Sequence, residues 1–98
     1  MITAILETME NEVVGIAAKA GNEKFLIGNG PAFSKLSLLS EIDYDIFASV
    51  DMPDLIGELE ILRNTVSDGD QSHIDEITDL AIRCRDEQGL ILTFTPFE

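Results

Sequence analysis

Ile74-Asp75-Glu76-Ile77-Thr78-Asp79-Leu80-Ala81-Ile82-Arg83-Cys84 runs through Arg85-Asp86-Glu87-Gln88-Gly89 into Leu90-Ile91-Leu92-Thr93-Phe94-Thr95. The hydrophobic period changes within this stretch. Ile74, Ile77, Leu80, Ala81 and Cys84 repeat at three and four residues and define one face of a helix, with Asp75, Glu76, Asp79, Arg83 and Asp86 largely off it. Asp79 and Arg83 form an i, i+4 acid-to-base pair worth roughly 0.2–0.5 kcal/mol. Gly89 is placed to end the helix in a left-handed turn. After it the period is two. Leu90, Leu92 and Phe94 share one face of a strand, Ile91, Thr93 and Thr95 share the other, and Pro96 stops it.

Moving toward the N-terminus, Ser67-Asp68-Gly69-Asp70 reads as a turn. Before it, Leu55, Leu59, Leu62 and Val66 follow the i, i+4, i+7, i+11 rhythm of another buried stripe, widened by Ile56. Asp51 is the expected N-cap of this first helix, Pro53 fits its first turn, and Asp54 is favoured near the positive end of the helix dipole. The short connection implies an antiparallel helical hairpin.

The first half reads as strands and turns. Ile2 to Leu6 and Val13 to Ala18 are strands separated by the polar turn Met9-Glu10-Asn11-Glu12. Gly21-Asn22 is a turn signal, and Lys24 to Ile27 is expected as a third strand completing an antiparallel meander. Gly28-Asn29-Gly30-Pro31 is a loop. Leu36, Leu38 and Leu39 fit either a strand or a helical turn, and Tyr44 to Ala48 fits a short strand. The expected fold is a single two-layer α+β domain over residues 1–98, with a small, mostly antiparallel sheet (the meander plus the closing strand) against the helical hairpin.

Composition limits function. The chain has 98 residues, of which nineteen are Asp or Glu and six are Lys or Arg, for a net charge of −13. Such a field repels nucleic acid and anionic lipid and speeds encounter with a basic partner. With five Phe, one Tyr and no Trp, the core must be mainly aliphatic. One cysteine excludes an internal disulfide and gives no reason to expect an oxidising compartment. Met1 to Glu7 lacks the basic and apolar regions of a signal peptide, and no apolar run approaches the ~18 residues of a membrane span. A cytoplasmic location is expected.

Catalytic sets are missing. His73 is expected as an exposed helix residue and Cys84 as a buried structural thiol, late in its helix where the dipole disfavours a thiolate. Asp43-x-Asp45 and Asp68-x-Asp70 do not continue into a calcium loop, and one Cys with one His gives no zinc spacing. Gly28-Asn29-Gly30 lacks both the phosphate-loop continuation and the dinucleotide fingerprint. No enzyme activity, cofactor or metal is expected.

One interval stands out. No basic residue occurs between Lys35 and Arg63, where Glu41, Asp43, Asp45, Asp51, Asp54, Glu58 and Glu60 lie together with Tyr44, Phe47 and Met52. Carboxylates around an aromatic anchor form a layout suited to a protein interface with Arg and Lys on the partner. Glu41, Asp43, Tyr44, Asp45, Asp51, Asp54 and Glu58 are the expected contact residues; Phe47 is expected in the core.

Asp43-Tyr44-Asp45-Ile46-Phe47, followed by Met52 and the helix with Leu55-Ile56-Gly57-Glu58-Leu59, resembles a pattern of small acidic bacterial proteins. Leu80-Ala81-Ile82-Arg83-Cys84 and Leu90-Ile91-Leu92-Thr93-Phe94 look like its later parts. The resemblance covers residues 43–95. Some such proteins look like immunity proteins, which neutralise toxins of bacterial competition. It implies a toxin-like basic protein as partner and carries over no individual functional residue. The rival expectation is an accessory or scaffolding domain that forms a homodimer through an apolar sheet face or an unpaired strand edge.

Overall fold

The computed structural model describes residues 1–97. The elements are β1 (Thr3–Thr8), β2 (Val13–Ala18), the single turn α1 (Glu23–Leu26), a 3₁₀ turn at Leu36–Leu38, β3 (Asp45–Phe47), a 3₁₀ turn at Ser49–Asp51, α2 (Met52–Arg63), α3 (Asp68–Asp86) and β4 (Leu90–Thr95). The sheet order is β2-β1-β4-β3, and all three pairings are antiparallel. The expected α+β fold is present, with the closing strand inside the sheet.

Register assigns the faces. Ala4 lies opposite Ala17 and Phe94, Leu6 opposite Gly15 and Leu92, and Phe47 opposite Leu92. These residues face the helices, and Ala4, Leu6, Ala17, Phe47, Leu92 and Phe94 are buried. The Phe47 and Phe94 rings meet edge to face at 5.8 Å, the arrangement their quadrupoles favour. α3 packs over β1, β2 and β4, and α2 packs against α3. Gly15 permits that approach, since a Cβ there would stand 2.6 Å from Leu80 Cδ2. The opposite face carries the cross-strand row Ile16, Ile5, Thr93 and Ile46.

Four local expectations change. Lys24–Ile27 is no strand: Glu23–Leu26 forms one helical turn that buries Leu26. The cause is Asn22, whose Oδ1 accepts the Ile2 N–H at 2.7 Å while its Nδ2 donates to the Ile2 carbonyl at 2.7 Å. That side chain closes the start of β1, and with Gly21 at φ +81 the chain turns away from the sheet. The turn at Ser67-Asp68-Gly69-Asp70 is instead the start of α3, with extended Ser67 as N-cap and Asp68 and Asp70 in the first turn. Residues that favour turns also favour helix starts, because short acidic side chains complement the dipole. At the other end α3 stops at Asp86 with Glu87 as cap, so Gly89, at φ +79, shapes the turn into β4. Arg83 pairs with Glu87 at 3.1 Å, not with Asp79, and its Nη1 donates to the Val14 carbonyl at 3.1 Å. Val14 is the extra residue of a bulge where the β1–β2 register shifts, and the bulge frees its carbonyl.

His73 departs furthest from expectation. It is buried, with 2% of its surface exposed. Its Nε2 lies 3.0 Å from Asn22 Nδ2. Ile2 fixes the Asn22 amide, so Nδ2 must donate and Nε2 must accept, which places the imidazole proton on Nδ1. Nδ1 has no hydrogen-bond partner, and Glu76 Oε1 is 4.0 Å away. Burial depresses the His73 pKa, against a smaller opposing pull from Glu76. A histidine depressed in the folded state contributes stability above its unfolded value of about 6.5, and that contribution is lost as pH falls below it. Unfolding free energy should therefore drop between pH 7 and 5, by at most about 1.4 kcal/mol per pH unit from this group. His73→Gln, which keeps an acceptor for Asn22, should flatten the difference in urea titrations at the two pH values; an unchanged slope would refute the assignment.

Candidate binding surface at the acidic edge of the sheet

β3 is an edge strand with β4 on one side and no strand on the other. The chain reaches it through a segment with little regular structure after the 3₁₀ turn at Leu36–Leu38 and leaves it through the 3₁₀ turn into α2. Apolar side chains stand in solvent along this path. Ile42 is 84% exposed, Val50 82% and Tyr44 54%, and Leu38 and Ile46 are similarly open. Glu41, Asp43 and Asp54 are exposed among them. The segment combines apolar side chains, which supply contact area in an interface, with negative charge, which supplies steering and complementarity toward a basic partner.

The seven expected contact residues divide by environment. Glu41, Asp43, Tyr44 and Asp54 are exposed, and Asp45 is half-buried. Asp45 lies on the helix-facing side of β3, opposite Phe94. Desolvation raises its pKa, and the charge of Asp43 adds to the shift. Asp51 is engaged internally: its Oδ2 accepts the Ala48 N–H at 3.0 Å, and its Oδ1 pairs with Lys35 Nζ at 3.2 Å. The Ala48 bond, then Lys35, holds its carboxyl below the ordinary range. Asp51 stands at the expected N-cap position of α2 but makes no side-chain cap bond there, because its backbone is already helical.

Glu58 is a correction. It is 7% exposed and turned inward. Its Oε1 accepts the N–H groups of Lys35 at 3.0 Å and Leu36 at 2.9 Å, and its Oε2 accepts the Ser34 hydroxyl at 3.2 Å. Position 58 follows Leu55 by three and precedes Leu62 by four, so it shares their buried side of the helix. The segment 34–36 presents backbone donors there, and a buried donor needs an acceptor. Met52 is also fully buried and Phe47 lies in the core, leaving Tyr44 as the exposed aromatic group of this segment.

Carboxylates are not confined to this segment. Glu10 and Glu12 lie in the β1–β2 connection, and Asp68, Glu76 and Asp79 are exposed on α3. Glu10 and Glu12, unpaired among the described residues, also have exposed apolar neighbours, Met9 and Val13; the β3 segment differs in carrying more of them, Leu38, Ile42, Tyr44, Ile46 and Val50. Lys19, Lys35, Arg63, Arg83 and Arg85 pair with Asp70, Asp51, Asp75, Glu87 and Asp86 respectively. Among the described residues, Glu41, Asp43 and Asp54 join no ion pair and sit beside exposed apolar side chains. A depression of about 350 Å3 opens beside Asp54, lined also by Ala32, Ser34, Pro53, Gly57, Glu58 and Ile61.

Cys84 is fully buried, with Sγ 3.5 Å from the Leu90 carbonyl, and burial pushes its thiol pKa up. It is the structural thiol expected. His73 and Cys84, eleven residues apart on α3, are separated by about 16 Å along the helix axis and make no dyad. Among the described residues no group of three or more His, Cys, Asp or Glu is placed to hold a metal ion, and no helix is long and apolar enough to cross a membrane. Comparison of the chain with family models, curated proteins and solved structures gave no match.

The different duties of Asp54 and Glu58 can be separated by substitution. Glu58→Ala strands buried donors of Lys35 and Leu36 and should lower the unfolding free energy by about 1–3 kcal/mol. Asp54→Ala, at an exposed site, should stay within about 0.5 kcal/mol. Urea denaturation of the two variants measures the difference; equal effects would contradict the assigned roles.

Proposed function

We propose that this chain is a non-catalytic binding protein whose acidic, apolar-studded β3 edge masks a basic protein partner, in the manner of a bacterial immunity protein covering a toxin or nuclease. The observation that carries the reading is the combination at one sheet edge. Among the described residues Glu41 and Asp43 join no ion pair, nor does Asp54 in the first turn of α2, and Ile42, Tyr44, Ile46 and Val50 stand exposed along the β3 segment. Exposed apolar groups supply contact area, and unpaired carboxylates supply steering and register against Arg and Lys. An acidic cover over a cationic active site also disfavours wrong partners, because like charges repel.

A second reading draws on the outer sheet face. Ile16, Ile5, Thr93 and Ile46 form a continuous row, Val13 and Ile91 flank it, and the one carboxylate on that face, Glu7, accepts the Thr93 hydroxyl at 3.2 Å. A homodimer joined there would make the chain a self-associating accessory domain.

Co-purification with the product of the neighbouring reading frame tests the first reading. A one-to-one complex whose Kd rises with salt is expected, because exposed charges are screened within about 8–10 Å. The triple variant Glu41→Lys, Asp43→Lys, Asp54→Lys should lose at least about 100-fold in affinity with little change in melting temperature. Salt-independent binding, or no complex, would sink this reading. Sedimentation addresses the second: a dimer dispersed by Ile16→Lys with Ile46→Lys supports it, and a monomer at all concentrations removes it.

A further inference from the structure

The start of β1 is fastened by a clasp that only a neutral imidazole completes. Asn22 Oδ1 accepts the Ile2 N–H at 2.7 Å, and Asn22 Nδ2 donates to the Ile2 carbonyl at 2.7 Å and to His73 Nε2 at 3.0 Å. Flipping the amide would set donor against donor and acceptor against acceptor at Ile2. The amide therefore cannot turn to suit a different ring. A proton on Nε2 would point an N–H at the Nδ2 donor, and only parting Asn22 from His73 or from Ile2 relieves that clash. Ile2, Asn22 and His73 are all buried, so a bond lost inside the closed clasp leaves a desolvated polar group.

Charged groups reach the ring from three elements. α3 supplies Glu76, largely exposed with Oε1 4.0 Å from the unpartnered Nδ1, and Asp70. Lys19, just after β2, pairs with Asp70 at 3.1 Å and offsets it. In α1, Glu23 is held by the Met1 ammonium at 3.3 Å, Lys24 is exposed, and the Phe25 ring meets the imidazole edge to face at 6.3 Å. Glu76 is thus the acceptor toward which a charged imidazole can turn, on the side away from Asn22.

The α1 turn depends on the same clasp. It has four residues, too few to persist as a helix without support. The N–H groups of Phe25 and Leu26 donate to the Asn22 carbonyl at 3.2 and 3.0 Å, so a displaced Asn22 takes the turn with it. We infer that His73 is an acid-operated catch: neutral, it fastens Ile2 to the α1 turn, and protonated, it frees both while the rest of the sheet holds. Release uncovers Ile2 and Leu26, two apolar side chains buried in the closed form. The loss of overall stability in acid then begins at this end of the molecule.

Native-state hydrogen exchange of the full ¹⁵N-labelled chain, followed by NMR in low urea at about pH 7 and about pH 5 and corrected for intrinsic rates, tests the catch. Leu26 and Ile27 should exchange through an opening that urea scarcely promotes, because little surface is exposed, while β4 exchanges through the urea-sensitive global opening. Protection of Leu26 and Ile27 should fall by about tenfold or more between the two pH values. His73→Gln, which keeps an acceptor but does not titrate, should hold their protection constant. Asn22→Asp offers a carboxylate to a protonated Nε2 and should reverse the trend, so that acid tightens the clasp. Leu26 and Ile27 exchanging together with β4, at the same urea dependence, would overturn the local catch. A fall that persists in His73→Gln would overturn the role of His73.

Discussion

The strand that closes the chain lies inside the sheet, and every other element is positioned by it. β4 pairs with β1 on one side and β3 on the other, so Thr3 meets Thr95 across nearly the whole sequence and Asp45 meets Phe94 across half of it. A strand used on both edges and covered on one face must be apolar throughout its inner positions, and Leu90, Leu92 and Phe94 are buried accordingly. Remove β4 and the β1–β2 hairpin has no third strand, while three-residue β3 has no partner at all. Isolated two-stranded hairpins are marginal in water. The sheet therefore forms through long-range pairing, whose loop-closure entropy must be overcome before the strands meet.

From that centre the surface segment follows. β4 holds β3 at the edge, β3 leads through a 3₁₀ turn into α2, and α2 sends Glu58 back to fasten residues 34–36. Lys35 closes the same loop from outside through Asp51. Two acidic residues thus fix the frame from within, and Glu41, Asp43 and Asp54 are displayed upon it. Acidity in this chain serves at least two purposes, internal hydrogen bonding and external charge, and burial separates them.

Much of the fold was legible because hydrophobic period is a local signal. The switch at Ile74–Thr95 locates helix and strand, Val13–Ala18 is found with its observed bounds, and Phe47 falls in the core as expected. What was illegible depended on partners distant in sequence. Lys24–Ile27 looks like a strand until Asn22 is seen closing β1. His73 looks exposed by type, yet it stands four residues before Ile77 and seven before Leu80, in phase with the buried face. Glu58 is likewise in phase with Leu55 and Leu62, but its role as acceptor lies in a loop more than twenty residues earlier. Within the site, the exposed acids and Tyr44 could be read from the sequence. The depression could not, since residues 32 and 34 and the α2 residues that line it meet only in the fold.

The two edges of the sheet are protected by different means. Along β2, a bulge and the Arg83 bond to the Val14 carbonyl interrupt the row of backbone groups. Along β3 there is shortness and a half-buried inward-facing carboxylate, Asp45. Strand edges left bare invite pairing with another copy, and an inward charge discourages it. Asp45 is also a carboxyl whose proton is held more tightly than usual. Acidification neutralises this sentinel early, and near the isoelectric point of about 4.1 the mutual repulsion between molecules vanishes as well. Mild acid thus removes together the inward charge at the β3 edge and the net repulsion between molecules, the two features that oppose edge-to-edge pairing.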